Sequence, residues 1–479
     1  MANNSDHKDW QWTDNGVIDG EELIERIRKI VSPYTTAKPP VCYPGTTLEF
    51  DERIKELIPD FLAKQLNSIG THTHGKLDDD GNWQAQIGEG GFDEVHAIEC
   101  QVIWMIADLV GGLPKLTDGY FCGGATEANI QGLWVGREWL RQRPDPLGKG
   151  IAVLTTPLVH YSIIKGSEIL DLGHPQWTHC PKCLSNHIFL PDPHGSGVNM
   201  VGMNKKGEMD VNELRRIFQL KYQEGFRRFI VVPTIGTTLM GSVDPIKAIN
   251  EYANEMRHEG AHTYIHVDAA FGGFTLPFVA QGSDLEIGFQ NSGVMSMALD
   301  GDKMGQMPYP AGVFLCRKEL QRLVAMKVNY IRGHEDDTLS GSRSALAAIL
   351  AWLNFKLHGK NGQKRYVQTC LANRNELERI LVETFGTEGP VKVLPTNPYI
   401  NLIAIEVDIR GGQIPENLME QGILQPYHLR RGFFPSDSKD IYSCPRTIYK
   451  LCIMPHNTGE QLRQFVEDLQ TVVKENRRK

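Results

Sequence analysis

Runs of apolar residues alternate with helix-like segments, and this restricts the chain more than any other feature. IAVLTT (151–156), FIVVP (229–233), TYIHVDAA (263–270) and SGVMSMAL (292–299) read as strands with no polar alternation. A strand apolar on both faces must be covered on both sides. Helical sequence fills the intervals. GYFCGG leads into a helix beginning near Thr126, YSIIKGSEILDLG (161–173) is a helix closed by glycine, and DPIKAINEYANEMRHEG (244–260) is amphipathic. Strand followed by helix, repeated, predicts a mostly parallel sheet wrapped by helices, an α/β fold. In EVHAIECQVIWMIADLV (94–110), Val95, Ile98, Val102, Met105 and Leu109 recur at helical spacing and predict one buried face.

Beyond residue 330 the texture changes. A long helix is expected through SALAAILAWLNFKL (344–357), with strands at INLIAIEV (400–407) and TIYKLCIM (447–454) and helices near 416–421 and 458–475. This predicts a smaller α+β domain. The expected division is an N-terminal segment 1–65, a large domain 66–327 and a C-terminal domain 328–479.

Ligands of an open parallel sheet collect at the carboxyl ends of its strands, and the chemistry-bearing residues stand there. GGATEAN (123–129) joins a strand to a helix, where free N–H groups suit a phosphate. Asp268 closes the apolar run of HVDAAFGGF, either capping the next turn or facing a cationic ring nitrogen. TIGTT (234–238) ends another strand with three hydroxyls. His160 stands at a strand-to-helix junction, a structural residue or a flat ring for stacking. Lys303 lies in ALDGDKMGQMPYPAG (298–312), which has neither helical nor strand periodicity; alone it reads as a surface lysine. Together, a phosphate cradle, a strand-end aspartate, a flat histidine and a loop lysine describe a pyridoxal phosphate site. That cofactor needs a lysine for the Schiff base and a carboxylate to keep its pyridine nitrogen protonated.

The remaining composition narrows the setting. With 41% hydrophobic and 23% charged residues, the chain is that of an ordinary soluble globular protein. A net charge of −8 argues against a nucleic-acid partner, and the basic KENRRK (474–479) reads as a solvated tail. No run approaches the ~20 apolar residues of a membrane span, and MANNSDHKDW is no secretory leader. Nine scattered cysteines read as reduced thiols in a cytoplasmic protein. HCPKCLSNH (179–187) gives Cys180 and Cys183 zinc-knuckle spacing, with His174, His179 and His187 able to complete a set; the plain alternative is a loop with two thiols, and no metal is assigned. His72, His74 and Gln84 are either pocket polar groups or surface residues.

The order TEANIQ, HVDAAFGGF, DKMG…PAG and GSR resembles the group II pyridoxal-phosphate-dependent amino acid decarboxylases, and most resembles archaeal L-tyrosine/L-aspartate decarboxylases. The resemblance implies the fold type I transferase fold and decarboxylation of an L-amino acid to its amine and CO2. It implies Lys303 as the Schiff-base lysine, Asp268 at the pyridine nitrogen, Ala270 and His160 on the two ring faces, and Thr237 near ring and substrate. Ala125 and Thr126 resemble the phosphate cradle, with Ser296 in the family's serine position. Ser342 resembles a contribution from the second subunit of a homodimer with shared active sites. Tyr330 matches the tyrosine that returns a proton to the substrate carbon. Arg446 and Lys450 are the candidates for the substrate carboxylate, Lys450 standing where the family usually has arginine. Asp302 stands where the family usually has a phosphate-binding histidine. An aspartate there repels a dianion, so it is expected to turn toward a basic or hydroxyl partner, or to share a cation with the phosphate. Two other readings remain: a carbon–carbon lyase of the sphingosine-phosphate lyase type, and a non-catalytic relative acting as a binding subunit.

Overall fold

The computed structural model describes residues 44–45, 48, 50–77, 83–84, 92–173, 176–179, 186–190, 197–282, 286–330, 335–407, 426–429 and 446–478. All lie in the second of two compact units, Pro40–Lys479, the first being Met1–Pro39. The large sheet is built from β1 (Thr117–Cys122), β2 (Ile151–Thr155), β3 (Gly197–Met200), β4 (Arg228–Val231), β5 (His262–Asp268), β6 (Val294–Asp300) and β7 (Gly312–Arg317). Its order is β1-β7-β6-β5-β4-β2-β3. Every adjacent pair is parallel except those made by β7, which runs against both β6 and β1. The expected mostly parallel sheet is therefore present, with one reversed strand that carried no helix before it to announce it.

The apolar runs are explained by two cores, one on each face. Successive residues of a strand point to opposite sides. Ala152, Leu154, Val313 and Leu315 enter one core, while Ile151, Val153, Phe314 and Cys316 enter the other. Helices α1 (Asp93–Leu109), α2 (Ala125–Arg141), α3 (Tyr161–Ile169), α4 (Val211–Gln223) and α5 (Ile246–His258) cover these faces. On α1 the buried line differs from the expected one. Val102 is buried as predicted, but Val95, Ile98, Met105 and Leu109 are half-buried, while His96, Glu99, Ile103 and Ile106 are buried. The helix turns two polar residues inward because Glu99 accepts the Phe121 N–H (2.9 Å) and faces Arg343 (3.5 Å).

The C-terminal part follows the α+β expectation. A four-stranded antiparallel sheet runs β8-β9-β11-β10, from β8 (Val391–Val393), β9 (Leu402–Val407), β10 (Pro426–Leu429) and β11 (Arg446–Cys452). The helix α6 (Leu346–Phe385) bends at Gly359, whose φ of 60° departs from helical geometry. Ahead of the bend it packs on the large sheet's core through Ala347 and Ala351. Beyond it, Leu377 and Leu381 join Leu462, Phe465 and Leu469 of α7 (Gly459–Arg478) over Ile403 and Leu451. The helix expected near 416–421 and the Cys180/Cys183 motif lie outside the described residues.

Candidate active site

Strands β1, β5 and β6 and the turns after them converge on a cleft of about 250 Å³. From β1 the chain passes through Gly123 and Gly124 into α2, whose first residues Ala125 and Thr126 form one wall. Gly124 has φ 145°, a conformation that glycine supplies at little cost. A β-carbon on the facing Gly312 would lie 2.3 Å from the Gly124 backbone, so the two glycines let β7 approach the helix start closely. Asp300, at the end of β6, accepts the Ala125 N–H at 2.8 Å and pairs with Lys303 Nζ at 2.8 Å.

Lys303 therefore points into the cleft, in the company of Asp268, Asp300, Asp302 and His160. Burial opposes its charge, but the Asp300 carboxylate outweighs burial, with Asp268 and Asp302 adding to it, and its pKa lies above the ordinary lysine value. Asp268 is buried at the end of β5. One carboxylate oxygen accepts the Ala270 N–H (3.1 Å) and the other the Asn129 amide (3.0 Å). His160 caps the start of α3, its Nδ1 accepting from Ser162 N–H and lying 2.8 Å from Ser162 Oγ. Burial lowers its pKa, against the raising charge of Asp268, so the flat ring is held toward its neutral form.

A chain of hydrogen bonds behind the cleft, none of it anticipated from sequence, joins these groups. Ser296 Oγ lies 2.8 Å from His266 Nδ1, and His266 Nε2 lies 2.9 Å from Asn129 Oδ1. Asn129 Nδ2 donates both to Asp268 and to Ser162 Oγ (2.9 Å). Burial lowers the His266 pKa to about 4, so it is neutral, its Nε2–H donating to the asparagine oxygen. One asparagine thus orients the aspartate and, through Ser162, the histidine. Asn129 was legible only as the last residue of GGATEAN, and His266 as the first of HVD.

Of the other anticipated residues, Ala270 lines the cleft, whereas Thr237 does not: its Oγ1 turns inward to Ser242 Oγ (2.6 Å), and Thr234 and Thr238 face the space instead. Ser296 stands in the network rather than on the wall. Tyr330 is 77% exposed, and Ser342 is exposed in a separate surface recess with Asn67 and Leu346. Arg446 begins β11, with its side chain outside the described residues; Lys450 is half-buried in the same strand opposite Ala404. Of these, the described side chains Tyr330, Ser342 and Lys450 do not line the cleft of their own chain. His72 and His74 are neither pocket nor surface residues. His74 is buried between Asp118 (3.2 Å) and Asp337 (3.3 Å), and His72 stacks on His96 at 4.0 Å. The Gln84 side chain lies outside the described residues.

Of the two arrangements expected for Asp302, the turn toward a basic or hydroxyl partner is not the one adopted. It lines the same cleft as Ala125 and Thr126 at 7% exposure, its backbone partner being the Ala311 N–H. Its Oδ1 has no hydrogen-bond partner among the described residues, and neither has Thr234 Oγ1. Two residues of the cleft wall thus each keep a buried polar atom that the described chain does not match. An amine, a strand-end carboxylate, a flat neutral imidazole and a glycine turn at a helix start fit pyridoxal phosphate.

Comparison with known proteins agrees. Residues 94–393 match the pyridoxal-dependent decarboxylase conserved domain, more than half of the chain. The chain belongs to this decarboxylase family. The decarboxylase is 29% identical to tryptophan decarboxylase of Clostridium sporogenes, over 95% of this chain and 96% of that one. It is 26% identical to the probable L-aspartate decarboxylase of Archaeoglobus fulgidus, over 82% and 89%. L-methionine decarboxylase from a Streptomyces species superposes with a TM-score of 0.74 at 17% identity, covering 97% of this chain and 98% of that one. A sphingosine-1-phosphate lyase of Burkholderia pseudomallei reaches 0.68 at 16% identity, over 98% and 94%. These likenesses establish fold type I. Family membership decides among the readings left open by the sequence: the protein is a pyridoxal-phosphate-dependent amino acid decarboxylase, a carboxy-lyase. Among the described residues, no helix is long and apolar enough to cross a membrane.

Proposed function

We propose that this decarboxylase removes the α-carboxylate of an aromatic L-amino acid, as a cytoplasmic homodimer in which Lys303 carries the cofactor. The observation that carries this reading is the meeting of Lys303, Asp268, His160 and the start of α2 in one cleft. When bound, pyridoxal phosphate supplies a sink for the electron pair left at Cα as CO2 departs. The protein's part is positional. Lys303 anchors through Nζ, while Asp268, fixed by Asn129 and the Ala270 amide, holds negative charge where the ring nitrogen must keep its proton. With the cofactor bound, His160 and Ala270 would cover the two ring faces and the Ala125–Thr126 turn would receive the phosphate.

Tyr330 and Ser342, which stand off their own chain's cleft, are assigned to the partner's site: the Tyr330 phenol delivers a proton to Cα and Ser342 contacts the phosphate. The large domain, 66–327, carries the cofactor. The C-terminal domain, 328–479, carries Arg446 and Lys450, assigned to the substrate carboxylate. Five described cysteines are buried and joined in no disulfide, which suits a reducing compartment.

The side-chain preference follows from the wall. Tyr161, Phe271 and Tyr309 line it beside three aspartates, and its one described cation, Lys303, already has a role. An acidic substrate side chain would meet repulsion there, whereas an aromatic one meets rings. The full-length likeness to a tryptophan decarboxylase supports the same choice. The test is the holoenzyme with L-tryptophan, L-tyrosine and L-phenylalanine against L-aspartate and L-glutamate, reading trapped CO2 and amine. Preferred turnover of an acidic amino acid overturns the substrate class. Borohydride reduction and peptide mapping test Lys303, and a label on another lysine overturns that assignment.

A further inference from the structure

We infer that Asp302 meets the cofactor's phosphate as a neutral carboxylic acid, its O–H donating the hydrogen bond. This rests on the reading of the cleft as the pyridoxal phosphate site. Asp302 lines that cleft with Gly124, Ala125 and Thr126, and its Oδ1 has no partner among the described residues. An ionised oxygen buried without a donor is expensive; a protonated one becomes a donor in search of an acceptor.

The charges around it leave the proton as the cheapest compensation. Asp300 and Lys303 flank it on its own segment, Asp268 faces the cleft from β5, and His160 and Tyr161 do so from α3. Tyr309 closes the rim, and Glu127 of α2 is held by the Gly123 N–H (2.8 Å). The one ammonium in the group, Lys303, is paired with Asp300 at 2.8 Å and is the amine the cofactor takes up. A phosphate dianion then adds further negative charge. The cradle is also short of a donor, because Asp300 already takes the Ala125 N–H. A carboxylic O–H from Asp302 meets both needs. Burial first, and then the Asp300 charge, push its pKa up to about 7, against the opposing Lys303 and the Ala311 amide.

The test is a titration of the apo-protein with pyridoxal 5'-phosphate, followed by absorbance and intrinsic fluorescence, from about pH 6 to about pH 8.5, a range that brackets the Asp302 titration. Wild-type affinity should fall by roughly tenfold or more across that range, the scale of a charge-assisted hydrogen bond replaced by repulsion. Asp302→Asn keeps a donor that cannot ionise, so it should retain the low-pH affinity and lose most of the pH dependence. The difference between the two proteins removes the titration of the phosphate itself. Asp302→Ala should bind roughly tenfold more weakly at low pH while keeping its circular dichroism. The inference is overturned if folded Asp302→Asn releases the cofactor or keeps the wild-type pH profile, or if EDTA alone strips the wild type, which would assign the compensation to a metal cation. Wild-type protein that takes up no cofactor at any pH overturns the cleft reading itself, and this inference with it.

Discussion

Asp268 spends one oxygen on its own turn and the other on Asn129, so its position does not depend on what fills the cleft. Replacing it with alanine removes a fixed charge and leaves the surrounding network able to fold. Turnover should drop by at least ~10²-fold, the effect of losing one preorganised electrostatic partner, with the melting profile little changed. Full activity in Asp268→Ala would show that the cofactor sits elsewhere. Asn129→Ala tests the network from behind: it leaves Asp268 in place but unoriented. A loss of turnover together with a shift of the visible cofactor band is expected, and an unchanged band would reduce Asn129 to a packing role.

Helix α2 does two jobs, presenting its first amides to the cleft and packing its middle against β5. Gly132 makes the second possible, since a β-carbon there would sit 2.2 Å from the buried His266 ring. Gly132→Ala should therefore push His266 off Asn129 and destabilise the protein by about 1–3 kcal/mol, read as a lower melting temperature and weaker cofactor binding. At the edge of the sheet, Asp118 of β1 ties in two neighbours. Lys318 donates to it (2.7 Å) beyond β7, and His74 contacts it (3.2 Å) from the segment before α1. Burial pushes the Asp118 pKa up, but His74 and Lys318 outweigh burial and hold it at about 2, below its ordinary 3.8. The folded state therefore gains stability from this carboxylate above about pH 4 and loses it as pH falls toward 2. Lys318→Met should cost about 1–2 kcal/mol at neutral pH and flatten that acid limb in urea titrations between about pH 4 and about pH 2.

For the whole molecule, Tyr330 and Ser342 have no place in the cleft of their own chain. If they complete the neighbour's site, mixing inactive Lys303→Ala chains with inactive Tyr330→Phe chains should restore about a quarter of native sites. Random pairing makes half the dimers hybrid, and one of the two sites in each hybrid is intact. Sedimentation of fully active monomers would contradict the shared site.

The sequence by itself determined the α/β class, the strand-end position of Asp268, the loop position of Lys303 and the identity of the cofactor. These depend on local apolar runs and on residues adjacent to them in the chain, and local periodicity records both. The strand register, the reversed β7 and the rotated face of α1 were decided only in three dimensions, because they depend on which distant segment each element packs against. The same holds within the site. Thr237 turns to Ser242, which lies five residues on, and yields the wall to Thr234 and Thr238. Asn129 reaches Asp268 across 139 positions of sequence. Asp302, read from its neighbours alone as an acid that turns to a basic or hydroxyl partner or shares a cation with the phosphate, lies in the cleft wall beside Ala125 and Thr126. Chain order tells which groups exist; the packed sheet sets the distances and the dielectric that fix what each group does.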